Sequence, residues 1–340
     1  MLALHYQADA PEFEFPFTTS KGSKTSQPNL IVSLSLGRLS GWGETTSIGY
    51  YNADVEEMIV LLEKNRKVIE SYALTTPERF WHFLHHLLPE QNFLIAALDI
   101  AAWDLFARMR NTPLYKVLGL QWKNTPPTDY TIGIDAAETI ADRLQQKPFP
   151  IYKLKVGGEE DLEQLKALRQ ATDAIIRIDA NEAWDWPTAQ KILPQLADMN
   201  IELIEQPFHR EDWEALRKLK EITTIPIIAD EACRSIADLT PCLELYDGIN
   251  IKLSKCGGIT PALGMLQQIK KAQKKVMLGG MCEHIIGATA IAQLLPLADY
   301  ADIDGPLLLK PNNYRGLTYD EQGNIRLPDG PGLGITPIVN

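Results

Sequence analysis

A rhythm in the second half of the chain limits its fold more than any other feature. Between residues 129 and 304, short apolar runs alternate with longer, more polar segments of helical character. The runs fall at residues 129–133, 151–156, 174–179, 201–205, 227–230, 248–253, 276–279 and 301–304, eight in all. Their ends are nearly evenly spaced: 24 residues separate Lys155 from Asp179, then 26 to Glu205, 25 to Asp230 and 22 to Lys252. One such interval is a strand plus a helix, and the strands of a parallel sheet, buried on both faces, read as near-continuous apolar runs. Eight steps are enough to close a barrel.

The first 123 residues have another texture. Residues 30–36 form an apolar, β-branched run that ends at a glycine-rich stretch, residues 37–43, read as a turn. Helical segments are predicted at 53–73, 77–88 and 92–110. The last carries Ala96, Ala97, Ile100, Ala101 and Leu105 along one side. The boundary is expected near residues 122–127, where Lys-Asn-Thr-Pro-Pro breaks the periodicity. The expected division is a cap over 1–123, a barrel over 124–310, and a turn-rich tail over 311–340 that returns to the cap.

Barrel strands buried on both faces are expected to be apolar throughout, yet these finish in ionisable residues. Lys153 and Lys155 end the second, Asp179 and Asn181 the third, Glu205 the fourth, Asp230 the fifth, Lys252 the sixth, and Asp302 and Asp304 the eighth. Active sites of such barrels lie at this C-terminal rim. Single charges buried there are costly unless paired or bound to metal. Asp179, Glu205 and Asp230 lie on consecutive strands, and converging carboxylates call for a hard divalent cation; magnesium suits that donor set. Lys153 and Lys155 share one strand face, and a crowded, desolvated lysine is expected to have a lowered pKa and to serve as a base. Lys252 lies four strands further on, across the mouth. Lys255 competes for its role but falls beyond the strand, beside Cys256, Gly257 and Gly258. A cation at a substrate carboxylate stabilises the charge left by α-proton removal, and a base on each side permits inversion.

These residues lie in stretches that resemble the enolase superfamily, its muconate-lactonising subgroup, and most of all the dipeptide epimerases. The stretches are YKLKVG at 152–157, RIDANEAW at 177–184, LIEQPF at 203–208, IIADEA at 227–232, NIKLSKCGG at 250–258 and DIDGPLLL at 302–309. GWGET at 41–45 and ALDIAAWDLFARMRNTPLYKVLG at 97–119 extend the resemblance to the cap. It implies an α/β fold: a modified TIM barrel, (β/α)7β, under an α+β capping domain formed by the N-terminal part and the C-terminal tail. It implies Lys155 and Lys252 as the acid/base pair, with Lys153 assisting at the substrate carboxylate. Asp179, Glu205 and Asp230 would bind Mg2+, with Asn181 and Glu231 behind them. Asp302 and Asp304 would take the substrate's ammonium group, with Gly22, Thr131, Gly280 and Met281 also around the substrate.

Gly22 stands where epimerases of Ala-Glu carry an arginine, and Gly280 where some have serine. Lys21 or Lys24 offers charge there but no bidentate fork. The expected substrate is therefore a dipeptide with a small or apolar, uncharged C-terminal residue. Ala-Glu epimerisation is the alternative, as are muconate cycloisomerisation and o-succinylbenzoate synthesis, both disfavoured by the amine-binding acid pair. A scaffold without activity is the remaining rival. The net charge of −11 provides no basic excess for nucleic acid. Four cysteines without a Cys-x-x-Cys pair suggest neither zinc nor a disulfide framework. No signal peptide or membrane span is read, so a cytoplasmic enzyme is expected, with a homo-oligomer left open.

Overall fold

The structure, a computed structural model, describes residues 1–157 and 160–338; residues 158–159, in the expected barrel, and 339–340, in the expected tail, lie outside it. The chain begins with β1 (Ala3–Asp9), the hairpin β2 (Glu12–Thr19) and β3 (Gly22–Ser26), then β4 (Asn29–Leu36) and β5 (Leu39–Thr46). β1, β4 and β5 form an antiparallel sheet in the order β1-β4-β5. Three helices follow: α1 (Val55–Ser71), α2 (Pro77–Leu87) and α3 (Asn92–Met109), then the short α4 (Leu114–Val117). Their starts obey local chemistry. Asp54 caps α1 by accepting from the amides of Glu56 and Glu57, and Thr76 caps α2 with Pro77 in the first turn.

α3 is buried from Phe93 to Ala107, because it lies between the cap sheet and the barrel. Two of its acids are pinned inside. Asp99 accepts from the amide and hydroxyl of Thr260 on the barrel side. Asp104 accepts from Trp42 N on β5 and Leu333 N in the tail.

The glycine-rich stretch corrects one sequence expectation. Only Gly37, at φ 64°, lies in a turn; Gly41 and Gly43 lie within β5. A Cβ on Gly41 would strike the backbone of Ala101 and Leu105, and one on Gly43 the backbone of Ala97. These glycines let helix and strand approach closely, a role that composition alone does not separate from a turn.

The barrel strands are β6 (Tyr130–Ile132), β7 (Ile151–Lys155), β8 (Ile175–Asp179), β9 (Ile201–Glu205), β10 (Ile227–Ala229), β11 (Gly248–Ile251), β12 (Lys275–Gly279) and β13 (Tyr300–Asp302). They pair in sequence order as one parallel sheet of eight strands. A parallel bridge between Thr128 and Ala301 joins the first strand to the last. The helices between them are α5 (Ala137–Gln146), α6 (Asp161–Ala171), α7 (Trp186–Leu196), α8 (Trp213–Ile222), α9 (Leu239–Leu245), α10 (Leu253–Cys256), α11 (Ile259–Lys271) and α12 (Ile285–Ala292). Seven strand–helix steps and a final strand give the (β/α)7β architecture. All eight expected strands are present, with ends shifted by a residue or two.

Inside the barrel, Leu203, Ile228 and Met277 pack together with Tyr300 against them, and the charged side chains lie toward the strand ends. After α13 (Gly305–Leu308), the tail makes small two-stranded pairs and packs on both units. Ile335 O accepts from Arg108 on α3, and Tyr314 meets Trp42 edge-on at 5.4 Å. On the barrel side, Gly323 O accepts from Thr128 N at 2.9 Å. Among the described residues, no helix is long and apolar enough to cross a membrane.

Candidate active site

A cavity of about 470 Å³ opens at the C-terminal ends of the barrel strands. The β2–β3 hairpin and the turn at Gly49–Tyr51 cover it from the cap side. Lys155, Lys252, Asp230, Asn181, Glu231, Thr131, Asp302, Asp304, Gly280, Met281 and Gly22 all line it. Lys153, Asp179 and Glu205 do not; they lie beneath its floor and are fully buried. His284 is not in its wall either: it caps α12 and reaches Lys310 O at 2.8 Å. Trp184 is buried with its Nε1 on Asp161.

Lys155 and Lys252 rise from strands four places apart, so they reach the cavity from different sides. Lys155 Nζ lies 2.5 Å from Asp179 Oδ2, and Lys252 Nζ lies 2.7 Å from Asp230 Oδ2. Lys255 is directed elsewhere. Its ammonium bonds the carboxylate of Asp230 and the carbonyls of Asp230, Cys233 and Asn250, which braces the loop after β10. It is absent from the cavity wall, which Lys252 lines.

The floor departs from the expected converging acids. Lys153 Nζ sits among them, 3.1 Å from Asp179, 2.7 Å from Glu205 and 2.7 Å from Asp302. The acid trio whose oxygens come within 4.8 Å of one another, among the described residues, is instead Asp129, Asp302 and Asp304. Lys153 also departs from the expected lowered pKa. Burial alone pushes its ammonium down, but Asp302, Glu205 and Asp179 outweigh burial and hold it well above its ordinary value. Lys252 is likewise lowered by burial and raised further by Asp230 and Glu205, with a net rise. Glu205 is less compensated than Asp179 and Asp230, which are both lowered: burial first, then Asp179, raises it from 4.5 to about 7. Its Oε2 faces Lys153 at 2.7 Å and its Oε1 accepts from Asn250 Nδ2 at 2.7 Å. Asp179, Glu205 and Asp230 are three buried carboxylates, and Asp179 and Asp230 both repel Glu205; such a hard-oxygen donor set fits a magnesium ion.

Two arrangements were not expected from sequence. In the first, Asp129 and Arg177 lie under Asp302 and Asp304. Asp302 accepts from Lys153, and Asp304 accepts from Thr131 N at 2.5 Å. Arg177 is two residues before Asp179 and shares its inward face, a period-2 signal that was available in the run RIDAN.

The second arrangement is a clasp around Glu182. Its carboxylate accepts from Lys21 at 2.9 Å, Tyr50 at 2.7 Å and Arg210 N at 2.9 Å. Arg210 also reaches Tyr50 OH at 2.5 Å. Asn181 and Glu182 hold left-handed backbone, φ 43° and 69°, which is uncommon for two successive non-glycine residues. No local sequence signal marks this clasp, because its members come from hairpin, turn and barrel.

Residues 2–119 match the mandelate racemase/muconate lactonizing enzyme N-terminal domain, and residues 135–338 match the enolase C-terminal domain-like family. The chain belongs to the mandelate racemase/muconate lactonizing enzyme family. Within that family it is 42% identical over 325 residues to an L-Ala-D/L-amino acid epimerase of Maribacter sp., covering 96% of each chain. It is 40% identical over 320 residues to a protein of the same name from Flavobacterium johnsoniae, covering 94% of this chain and 95% of the other. A solved dipeptide epimerase from Cytophaga hutchinsonii, complexed with Mg and D-Ala-L-Val, superposes with a TM-score of 0.93 at 29% identity, covering 99% of this chain and 96% of that one.

Proposed function

We propose that this family member is a magnesium-dependent dipeptide epimerase that inverts the α-carbon of the C-terminal residue. The observation that carries the reading is the cavity itself: Lys155 and Lys252 enter it from different sides, and Asp302 and Asp304 form another part of its wall. The relatives named as epimerases of alanyl dipeptides support it. Asp179, Glu205 and Asp230 would hold the magnesium ion, with Asn181 Nδ2 on Glu231 Oε1 at 3.1 Å behind them. When bound, the ion supplies positive charge to the substrate's carboxylate oxygens and so makes the α-proton more acidic. Lys155 or Lys252 takes that proton from one face, leaving a planar centre. The opposite lysine returns a proton to the other face, and the carbon is inverted. Lys153, buried under the floor, adds fixed positive charge beneath the carboxylate. Asp302 and Asp304 pair with the free ammonium group of the first residue.

The C-terminal side chain is read as small or apolar. Lys21 lines the cavity, but its ammonium is engaged by Glu182, and Phe17, Ile48, Tyr51, Met281 and Leu308 provide apolar surface. Lys24 favours a second reading. It also lines the cavity, and its ammonium donates to the neutral Gln27 Oε1 at 3.2 Å, which leaves charge for an acidic side chain.

The test is incubation of dipeptides with enzyme and Mg2+ in deuterated water. One deuterium at the C-terminal α-carbon, with both stereoisomers formed, is the expected result. No exchange with any dipeptide, alongside turnover of a muconate, would overturn the reading. Comparing L-Ala-L-Leu with L-Ala-L-Glu decides between the two side-chain readings.

A further inference from the structure

Asp129 immediately precedes β6, is fully buried and does not line the cavity. Its Oδ2 accepts from Arg177 Nη1 at 2.9 Å, while its Oδ1 is buried with no hydrogen-bond partner. Arg177 is 2% exposed and spans three oxygens: Asp129 Oδ2, Ala301 O at 2.7 Å and Glu202 Oε2 at 2.6 Å. Its guanidinium also lies 5.3 Å from the centre of the Tyr300 ring. An ion pair this deep in a barrel is a weak source of stability, because desolvation offsets most of the attraction.

Asp129, Asp302 and Asp304 bring carboxylate oxygens within 4.8 Å of one another. Facing them are Arg177, shared with Glu202, and Lys153, shared with Asp179 and Glu205, while Lys252 and Lys155 also act on Asp302. Asp302 and Asp304 reach the cavity wall, where a cation entering from the cavity would meet them.

We propose that Asp129, held by Arg177, is a positioning residue that backs Asp302 and Asp304 and sets the charge and spacing they present to the dipeptide's free ammonium group. The proposal rests on the ammonium-binding reading of that acid pair. Asp129 acts through its neighbours. Burial and then Asp302 push its carboxyl up, and Arg177 at 2.9 Å opposes them; held ionised by Arg177, it opposes the pull of Lys153 on Asp302 and of the Thr131 amide on Asp304, and so favours carboxylates free to turn toward the cavity. The Arg177 fork fixes Asp129 at the required depth. A pair present only for stability would be indifferent to the charge at the substrate's N-terminus.

The experiment uses the full-length enzyme with Mg2+ and two probes, L-Ala-L-Leu and N-propionyl-L-leucine, which has the same shape without the amine. Dissociation constants come from calorimetry, and kcat and KM from the dipeptide. Asp129→Asn is expected to weaken dipeptide binding about tenfold, the scale of one charge-assisted hydrogen bond. The change falls on KM more than kcat, and binding of the propionyl probe stays within about twofold on the same argument. Equal loss for both probes, or no loss for either, overturns the proposal. Asp302→Asn separates the two levels. If it preserves the amine preference, or if the unmodified enzyme has none, the ammonium reading falls and this proposal with it. If Asp302→Asn abolishes the preference and Asp129→Asn does not, only the role of Asp129 falls. Should Asp129→Asn fail to fold, Arg177→Lys carries the test, since it keeps the charge and loses the fork. The same selective loss is expected, and an unchanged preference overturns the proposal.

Discussion

Lys155 and Lys252 are each held by one carboxylate, Asp179 and Asp230, so replacing either lysine takes one of two lysine partners from a buried acid, leaving Lys153 on Asp179 or Lys255 on Asp230. Glutamine keeps a hydrogen-bond donor there, which makes Lys155→Gln and Lys252→Gln the informative variants. Each is expected to lower epimerisation by about 10²–10⁴-fold, the range for loss of a general acid or base. Each is also expected to keep α-proton exchange for the stereoisomer whose proton faces the surviving lysine. Mass spectrometry of separate stereoisomers in deuterated water checks this; epimerisation at the original rate in either variant removes that lysine from the mechanism. At this scale much of the candidate site was legible. Acids and lysines at apolar strand ends stand out because burial forbids them without a partner. The lysine–carboxylate pairing of the floor was not legible, because spacing along strands gives a residue's height and face but not which neighbour it contacts. Asp129 escaped notice because it opens the first apolar run, at the end opposite the rim where the other strand-end charges were sought.

At the scale of elements, the eight strands were readable because buried parallel strands leave little freedom in composition. The two cap glycines were not, since Gly41 and Gly43 make the same entries in a sequence whether they turn a chain or admit a helix. Gly43→Ala tests this. Its Cβ would collide with the Ala97 backbone of α3, which cannot move aside as a flexible side chain would. A loss of about 1–3 kcal/mol or more is expected from overpacking, against a gain of a few tenths if the position were an exposed turn. Thermal unfolding measures the difference, and an unchanged midpoint contradicts the packing argument. The clasp around Glu182 is another element-scale device. Lys21 is 39% exposed at its side chain and adds little, whereas Tyr50 bonds a carboxylate that is 2% exposed. Glu182→Gln is therefore expected to loosen the hairpin and the 49–51 turn. Faster amide exchange at residues 18–26 and a higher KM for dipeptides are the readouts, and unchanged exchange argues against a clasp.

Across the whole molecule, the cap and barrel are joined by a carboxylate from one reaching a helix start of the other. Glu44, at the end of β5, accepts from His284 N and Gly287 N at the start of α12, and from Asn29 Nδ2. The same loop carries Gly280, Met281 and Cys282 on the cavity wall, so this contact ties cap position to cavity shape. Burial is the largest influence on Glu44; the three donors oppose it, Glu283 adds repulsion, and the carboxyl is raised from 4.5 to about 7. Tyr314 lies in its field as well. The sign follows from linkage. A folded pKa above the unfolded one means that folding favours the protonated form. That stability is complete below about 4.5 and is lost as pH rises through about 7. Glu44→Gln stays neutral throughout and lacks this loss, although it surrenders one acceptor. The unmodified enzyme should therefore fall in stability relative to the variant between pH 4.5 and 7, by up to about 3 kcal/mol for a shift of this size. Paired denaturant titrations across pH 4.5–8 measure it. A difference that stays flat over that window means that the N–H donors, rather than burial, govern Glu44. The cap would then be latched to the barrel by a permanent charge at a helix start, and its grip would not weaken as the solution becomes alkaline.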